Sequence, residues 1–297
     1  MIDVHHDYPF GDFLVVSASC LAVVVALMVL TAVLTRVTGR VSVVDTIWGL
    51  GFIVVTVTAA LVGSAVRPDS TDGWFVYGSF DYASDDGRMF KVPDDSFGAL
   101  DFRTWLLVAL VALWGGRLAW HIGRRSRGHG EDPRYVELMA NGSGGLVRKV
   151  LLPQGLAIWF VSLPIQVSAV AGGHVTPVLV LGVVLFAIGL TFESVGDAQL
   201  AAYKKDPDRG PVMDRGLWAY TRHPNYFGDA CVWWGIWLVC ASSWPGIFTV
   251  LSPIAMTYFL VFATGARLLE RTMMQRPGYP EYAARTSMFF PLPPKKR

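Results

Sequence analysis

Seven stretches of this chain are long and apolar enough to cross a bilayer, at roughly 13–35, 43–66, 104–122, 150–171, 175–198, 225–243 and 246–266. A spanning helix needs about 20 predominantly apolar residues. The first stretch lacks the basic flank of a cleaved signal peptide, and its apolar part is too long for one, so it reads as a retained span. Composition agrees: 53% of the 297 residues are apolar and 16% charged, against about 25% charged in soluble domains. This excludes a disordered chain, a fibrous repeat and a disulfide scaffold. Cys20, Cys231 and Cys240 all lie in apolar runs with no C-x-x-C pair, which argues against a thiolate metal site.

Orientation follows from the basic residues, which favour the cytoplasmic side. With the N-terminus outside, the inner segments hold 21 of the 25 lysines and arginines and the outer segments hold Arg67, Arg88, Lys91 and Arg103. Aspartates lean the other way, with Asp3, Asp7 and Asp12 before the first span and eight more in the loop 67–103. The predicted fold is an all-α polytopic membrane helix bundle of about seven transmembrane helices, N-terminus outside and C-terminus cytoplasmic. It forms one membrane domain over 1–297. Residues 67–103 form an extracytoplasmic loop, read as a small cap with a short hairpin possible around Trp74–Tyr82. A short connection falls near Gly172-Gly173.

Charges inside spans are expensive, about 2.5–3.5 kcal/mol at the helix centre on insertion scales, and mark functional positions. Asp45, Glu193, Asp197, Asp229 and Glu270 are the candidates. Glu193 and Asp197 are four residues apart and share a helix face. They could bind a metal, accept from ribose hydroxyls, or pair with Arg222, Arg267 or Arg271. A metal would need further ligands, and His223 is the only histidine near, so no metal is expected. Asp45 opens the second span, as a helix cap or as a site residue; Trp48 after it is an interface anchor or a pocket wall. On the third span, Gly115-Gly116 permits close helix approach. Arg117, His121 and Arg124 follow on one face, and their cations either snorkel or meet a polyanion.

The run Gly216-Leu217-Trp218-Ala219-Tyr220-Thr221-Arg222-His223-Pro224-Asn225-Tyr226-Phe227-Gly228-Asp229 concentrates a cation, an imidazole, an amide and two phenols before a helix. The free N–H groups at such a helix start favour anions. This run resembles the C-terminal signature of the steroid 5-alpha-reductase superfamily, and especially its bacterial branch of uncharacterised membrane proteins. The resemblance extends to Asp45–Gly49, Arg117 to Tyr135, Glu193 to Lys205, and the ending from Leu269-Glu270 to Phe289-Phe290-Pro291. More distant relatives are sterol reductases, which use NADPH, and isoprenylcysteine carboxyl methyltransferases, which bind S-adenosylmethionine.

The resemblance implies an NADPH-dependent reductase of a carbon–carbon double bond in a lipid or steroid-like substrate that enters from the bilayer. It implies an integral protein of a bacterial cytoplasmic membrane, surrounded by membrane lipids and without a nucleic-acid partner. The cofactor part is expected over 199–297. Arg222, His223, Asn225 and Tyr226 would contact the cofactor. Glu193, Asp197, Lys204, Tyr220, Arg267, Arg271 and Tyr282 would line its pocket, completed by Arg124, Arg125 and Arg127. Asp45, His121 and Tyr220 are the candidates to polarise or protonate the substrate. The chain departs from the resembled family in three places: Trp114 stands where the steroid reductases have a substrate-holding tyrosine, the second span carries Asp45 but no glutamate, and Asp229 stands where relatives usually have glutamate. Two alternatives stay open, a methyltransferase of a lipid or prenyl substrate and a non-catalytic lipid-binding protein.

Overall fold

The computed structural model describes residues 8–66, 102–126, 128, 130–140, 145–171, 176–263 and 265–295. Nearly all of loop 67–103, the Gly172-Gly173 connection and Arg127 lie outside the described residues. The described chain is helical, and its only β pairing among those residues is an isolated bridge between Thr221 and Ser287. Among the described residues, six helical segments are long and apolar enough to cross a membrane: Phe10–Thr38, Val43–Val66, Phe102–Ser126, Val147–Ser168, Pro177–Lys205 and Gly246–Met273. The chain divides into two compact units, Met1–Thr176 with Ser242–Gly246, and Pro177–Ala241 with Ile247–Arg297.

The first unit contains α1 (Phe10–Thr38), α2 (Val43–Val66), α3 (Phe102–Ser126), α4 (Pro133–Ala140), a π turn at Val147–Leu151, α5 (Leu152–Val161) and α6 (Leu163–Ser168). α1 stops at Gly39, whose φ of 67° is the left-handed cap conformation that glycine adopts most easily. α2 and α3 cross at Gly49 and Gly115. A methyl group on Gly115 would lie 2.5 Å from the Gly49 carbonyl oxygen, so the contact is backbone on backbone. Gly116 has open space beside it, so only the first glycine of the pair serves the crossing. Next to these glycines, Trp48, Phe52 and Trp114 meet edge to face at 5.2 and 5.7 Å between centroids. Trp48 is thus held by a core aromatic, and Trp114 is fully buried.

Arg103, assigned from the sequence to the outer loop, is instead 1% exposed. It donates to the Ser168 carbonyl at 3.2 Å, to the Ala171 carbonyl and to Ser243 Oγ. These carbonyls close α6, where a cation is favoured by the unpaired C=O groups of a helix end.

The second unit contains α7 (Pro177–Lys205), a 3-10 turn at Gly216–Ala219, α8 (Pro224–Ala241), a 3-10 turn at Gly246–Val250, α9 (Leu251–Tyr258), a π turn at Phe259–Ala263, α10 (Ala266–Met273) and α11 (Tyr279–Arg285). α7 and α8 run antiparallel with glycines meeting in pairs, Gly182 with Gly235 and Gly189 with Gly228. A methyl on Gly228 would sit 2.5 Å from the Gly189 carbonyl oxygen. Seven-residue spacing keeps these contacts on one seam.

α8 is not among the six helices apolar enough to span by composition, because Asn225, Asp229 and Trp233, Trp234 and Trp237 dilute its 18 residues. Packing supplies what composition lacks. Arg222, just before α8, bonds Glu270, near the end of the following span, and Asp214 pairs with Arg285 at 2.5 Å. α8 lies antiparallel beside α7 and coincides with the span the sequence predicts at 225–243.

Candidate functional site

The signature run is fixed to α7 before it contributes any chemistry. Gly216 opens a tight turn at φ 60°, where a side chain would collide with Gln199. The Gln199 amide oxygen accepts from the Leu217 N–H at 3.0 Å, and the Trp218 indole N–H donates to the Gly196 carbonyl at 3.0 Å. Pro224 then begins α8 against Gly196.

The C-terminal residues are tied along the same run. The Arg222 N–H donates to the Ser287 carbonyl at 2.9 Å, Thr221 Oγ1 to the Phe289 carbonyl at 2.9 Å, and the Leu292 N–H to the Tyr220 carbonyl at 3.0 Å. Tyr282 donates its hydroxyl to the Trp218 carbonyl at 2.5 Å. Burial pushes the Tyr282 hydroxyl pKa up, so it stays a donor.

Glu270 is the hub. Its two oxygens accept Arg222 Nε at 2.9 Å and Nη2 at 2.8 Å, a bidentate ion pair. Oε1 also accepts from the Tyr279 hydroxyl at 2.7 Å and lies 3.0 Å from His223 Nε2. Arg222 Nη1 donates to the carbonyls of Ala283 at 2.8 Å and Thr286 at 2.5 Å. Both partners of the ion pair are nearly buried, 11% and 13% exposed. Tyr279 is held protonated by burial and by its bond to Glu270. Sequence reasoning marked Glu270 as an intramembrane charge and did not place it in the site; its position in the superfamily-like ending was the available signal.

A cavity of about 350 Å³ adjoins this cluster in the same unit. Tyr282 joins the two, bonded to the signature run and lining the cavity. The cavity wall also holds Tyr203, Arg209, Arg215, Glu281 and Arg285. Arg285 is paired with Asp214, and Arg209 donates to the Lys204 carbonyl at 2.7 Å and lies over the Tyr203 ring. The Arg215 side chain has no hydrogen bond or ion pair among the described residues.

Of the predicted cofactor residues, Arg222, His223 and Tyr282 come together. Tyr226 stacks on His223 with ring centroids 5.5 Å apart and planes 12° apart. Asn225 turns back to accept the Tyr226 N–H at 3.1 Å. Glu193 is buried against the Gly228 backbone, while Asp197 is half-buried one turn on. Lys204 and Arg271 are exposed, Arg267 lies over the Phe262 ring at 4.3 Å, and Tyr220 is 48% exposed. No group of three or more His, Cys, Asp or Glu side chains that could hold a metal is found among the described residues.

The remaining predicted residues belong to the first unit. Asp45 accepts from the Tyr135 hydroxyl at 2.5 Å and pairs with Arg134 at 3.3 Å. The backbone N–H groups ahead of α2 are satisfied by Glu131, which accepts from Val41 and, at 3.0 Å, from Ser42. Glu131 therefore caps the helix, and Asp45 is left to hold a tyrosine and an arginine. Burial and the adjoining Asp45 carboxylate raise the Tyr135 pKa. Tyr135 and Arg134 were outside the predicted site set, since only the fold brings α4 to the start of α2. At the end of α3, His121 is half-buried and Arg124 and Arg125 are exposed.

A family model described as "Protein of unknown function (DUF1295)" matches residues 95–286, well over half of the chain. Among curated proteins, the steroid 5-alpha-reductase DET2 of Arabidopsis thaliana is 41% identical over 69 residues, 23% of this chain and 26% of its own length. DET2 of Gossypium hirsutum is 36% identical over 66 residues, 22% of this chain and 25% of its own. The probable O-methyltransferase ustE of Ustilaginoidea virens is 39% identical over 62 residues, 20% of this chain and 22% of its own. The chain thus spans about a quarter of the length of these relatives. No solved structure matches it significantly. A helical membrane bundle with this signature run and this family match places the chain in the DUF1295 family of the steroid 5-alpha-reductase superfamily.

Proposed function

We propose that the protein is a membrane-embedded reductase that reduces a carbon–carbon double bond of a lipid or steroid-like substrate with NADPH. The observation that carries this reading is the cavity of the second unit, joined through Tyr282 to the Arg222–Glu270 cluster and walled by three arginines. The DET2 relatives support the reaction class. NADPH, when bound, supplies the hydride and brings a pyrophosphate and a 2′-phosphate that need planar, multidentate donors.

The residues present fit such a group, with a shift in roles. Four donor bonds of Arg222 already go to Glu270 and to carbonyls, so it shapes the site. The phosphates fall to Arg215 and Arg209, with the exposed Lys204 and Arg271 on the same unit. Asp206 and Glu281 offer acceptors for ribose hydroxyls, and Tyr203 an aromatic face. Of the three groups assigned to substrate polarisation or protonation, Tyr220 belongs to the second unit and Asp45 and His121 to the first.

The ustE relative favours a second reading, a methyltransferase using S-adenosylmethionine. That cofactor carries a sulfonium and an ammonium, for which convergent arginines are a poor match and aromatic faces a better one. Titration calorimetry on the detergent-solubilised protein separates the two. NADPH is expected to bind more tightly than NADH, and S-adenosylmethionine not to bind. Binding of S-adenosylmethionine without a response to NADPH would establish the methyltransferase reading. No response to either would favour a non-catalytic lipid-binding protein.

A further inference from the structure

His223 is a histidine whose environment specifies its proton. Its Nε2 faces Glu270 Oε1 at 3.0 Å. That oxygen also receives Arg222 Nε and the Tyr279 hydroxyl, so it acts purely as an acceptor. Nε2 must therefore carry the hydrogen, and in the neutral ring Nδ1 is left as the acceptor. The ring plane is held by the stacked Tyr226, and the His223 backbone N–H donates to Thr221 Oγ1 at 3.3 Å. Nδ1 has no hydrogen bond among the described residues and is not one of the sealed, unpartnered polar atoms.

We propose that Glu270 is the positioning residue of this site: it commits His223 to the Nε2–H tautomer and so presents Nδ1 as a hydrogen-bond acceptor to a ligand hydroxyl or N–H. The identity of the ligand rests on the cofactor reading above. Ribose hydroxyls are common to NADPH and S-adenosylmethionine, and either cofactor can donate to Nδ1. Glu270 itself touches no ligand. Its effect runs through His223 and through the Arg222 guanidinium, which it fixes bidentately against the C-terminal carbonyls. Arg222 and Tyr279 share the Glu270 carboxylate with the imidazole, and Tyr226 stacks on the ring.

The test is nitrogen NMR of the full-length protein in detergent at mildly alkaline pH, with 15N-labelled histidine and His223 assigned by loss of its signals in His223→Gln. Wild-type protein should show a proton-bearing Nε2 and a pyridine-type Nδ1 at His223. A proton on Nδ1, or an even mixture of tautomers, would overturn the proposal without any variant of Glu270. The paired variant Arg222→Met/Glu270→Met removes both charges together and leaves no orphan ion. It should give mixed tautomers at His223 and a roughly ten-fold loss of nucleotide affinity, the effect of about one neutral hydrogen bond. An unchanged tautomer in a folded paired variant would show that Glu270 does not set it. Saturating NADPH should move the wild-type Nδ1 resonance. A calorimetric signal for NADPH with an unmoved Nδ1 would reject Nδ1 as the ligand's acceptor. A shift with S-adenosylmethionine alone would keep the positioning role and change the cofactor. If neither nucleotide binds, the cofactor reading fails, and the wild-type tautomer still decides the role of Glu270.

Discussion

Glu270 receives bonds from Arg222, His223 and Tyr279, so removing it strands a nearly buried guanidinium. Breaking a buried pair by deleting one partner costs about 3–5 kcal/mol, most of it the penalty of the orphan charge. Glu270→Ala should therefore lower the thermal midpoint in detergent sharply, and Arg222→Met/Glu270→Met should restore most of the loss. Additive losses in the paired variant would show that the two residues act separately. Arg215 offers the opposite case. Its side chain lines the cavity and is not bonded among the described residues, so Arg215→Ala should leave the midpoint unchanged. If Arg215 meets a phosphate, its loss should weaken NADPH by roughly ten- to a hundred-fold, the worth of a hydrogen bond to a charged group at about 1.5–3 kcal/mol. Calorimetry and a melt on the same sample check both halves. In the first unit, the Arg134 hydrogen bond, opposed in part by burial, holds the Asp132 carboxyl below the usual aspartate range. A depressed carboxyl stabilises the fold above its unfolded pKa, and that contribution is lost as pH falls through the folded value. Melts from neutral into the acid aspartate range should show a decline that Asp132→Asn makes shallower.

At the scale of elements, the helix pairs are set by where glycine lets backbones touch. Gly115 and Gly116 are neighbours in sequence and opposites in packing. Gly115→Ala should destabilise the protein by about 1–3 kcal/mol through overpacking against the Gly49 carbonyl. Gly116→Ala should be neutral or stabilising by up to about 1 kcal/mol, the helix-propensity difference. Equal melting temperatures for the two variants would contradict the observed crossing. Helical spacing in the sequence shows that a glycine pair permits close approach; it does not show which of the two faces the partner, because a 100° step between neighbours needs a partner to give it meaning. The start of α2 illustrates the same limit. Asp45 has the residue type and place of a cap, yet Glu131 fills that role from far along the chain.

At the scale of the molecule, the seven spans read from the sequence predict termini on opposite sides of the membrane, and the distribution of basic residues predicts the N-terminus outside. Cysteines introduced at Gly11, Gly210 and Pro280 test this with an impermeant maleimide on intact cells. Gly11→Cys should label directly, and Gly210→Cys and Pro280→Cys only after permeabilisation. Opposite behaviour of Gly210→Cys and Pro280→Cys would remove α8 as a crossing. The amino-acid sequence by itself determined the class of fold, the spans that composition marks and the superfamily, because hydropathy, length and a contiguous signature are local properties of the chain. Only the tertiary structure decided that α8 packs glycine against glycine on α7, that Arg103 is a buried helix-end cation, that Asp45 meets Tyr135, and that Arg222 is clasped by Glu270. Those outcomes depend on which distant groups become neighbours, and a buried charge or polar helix is tolerated only when such neighbours satisfy it.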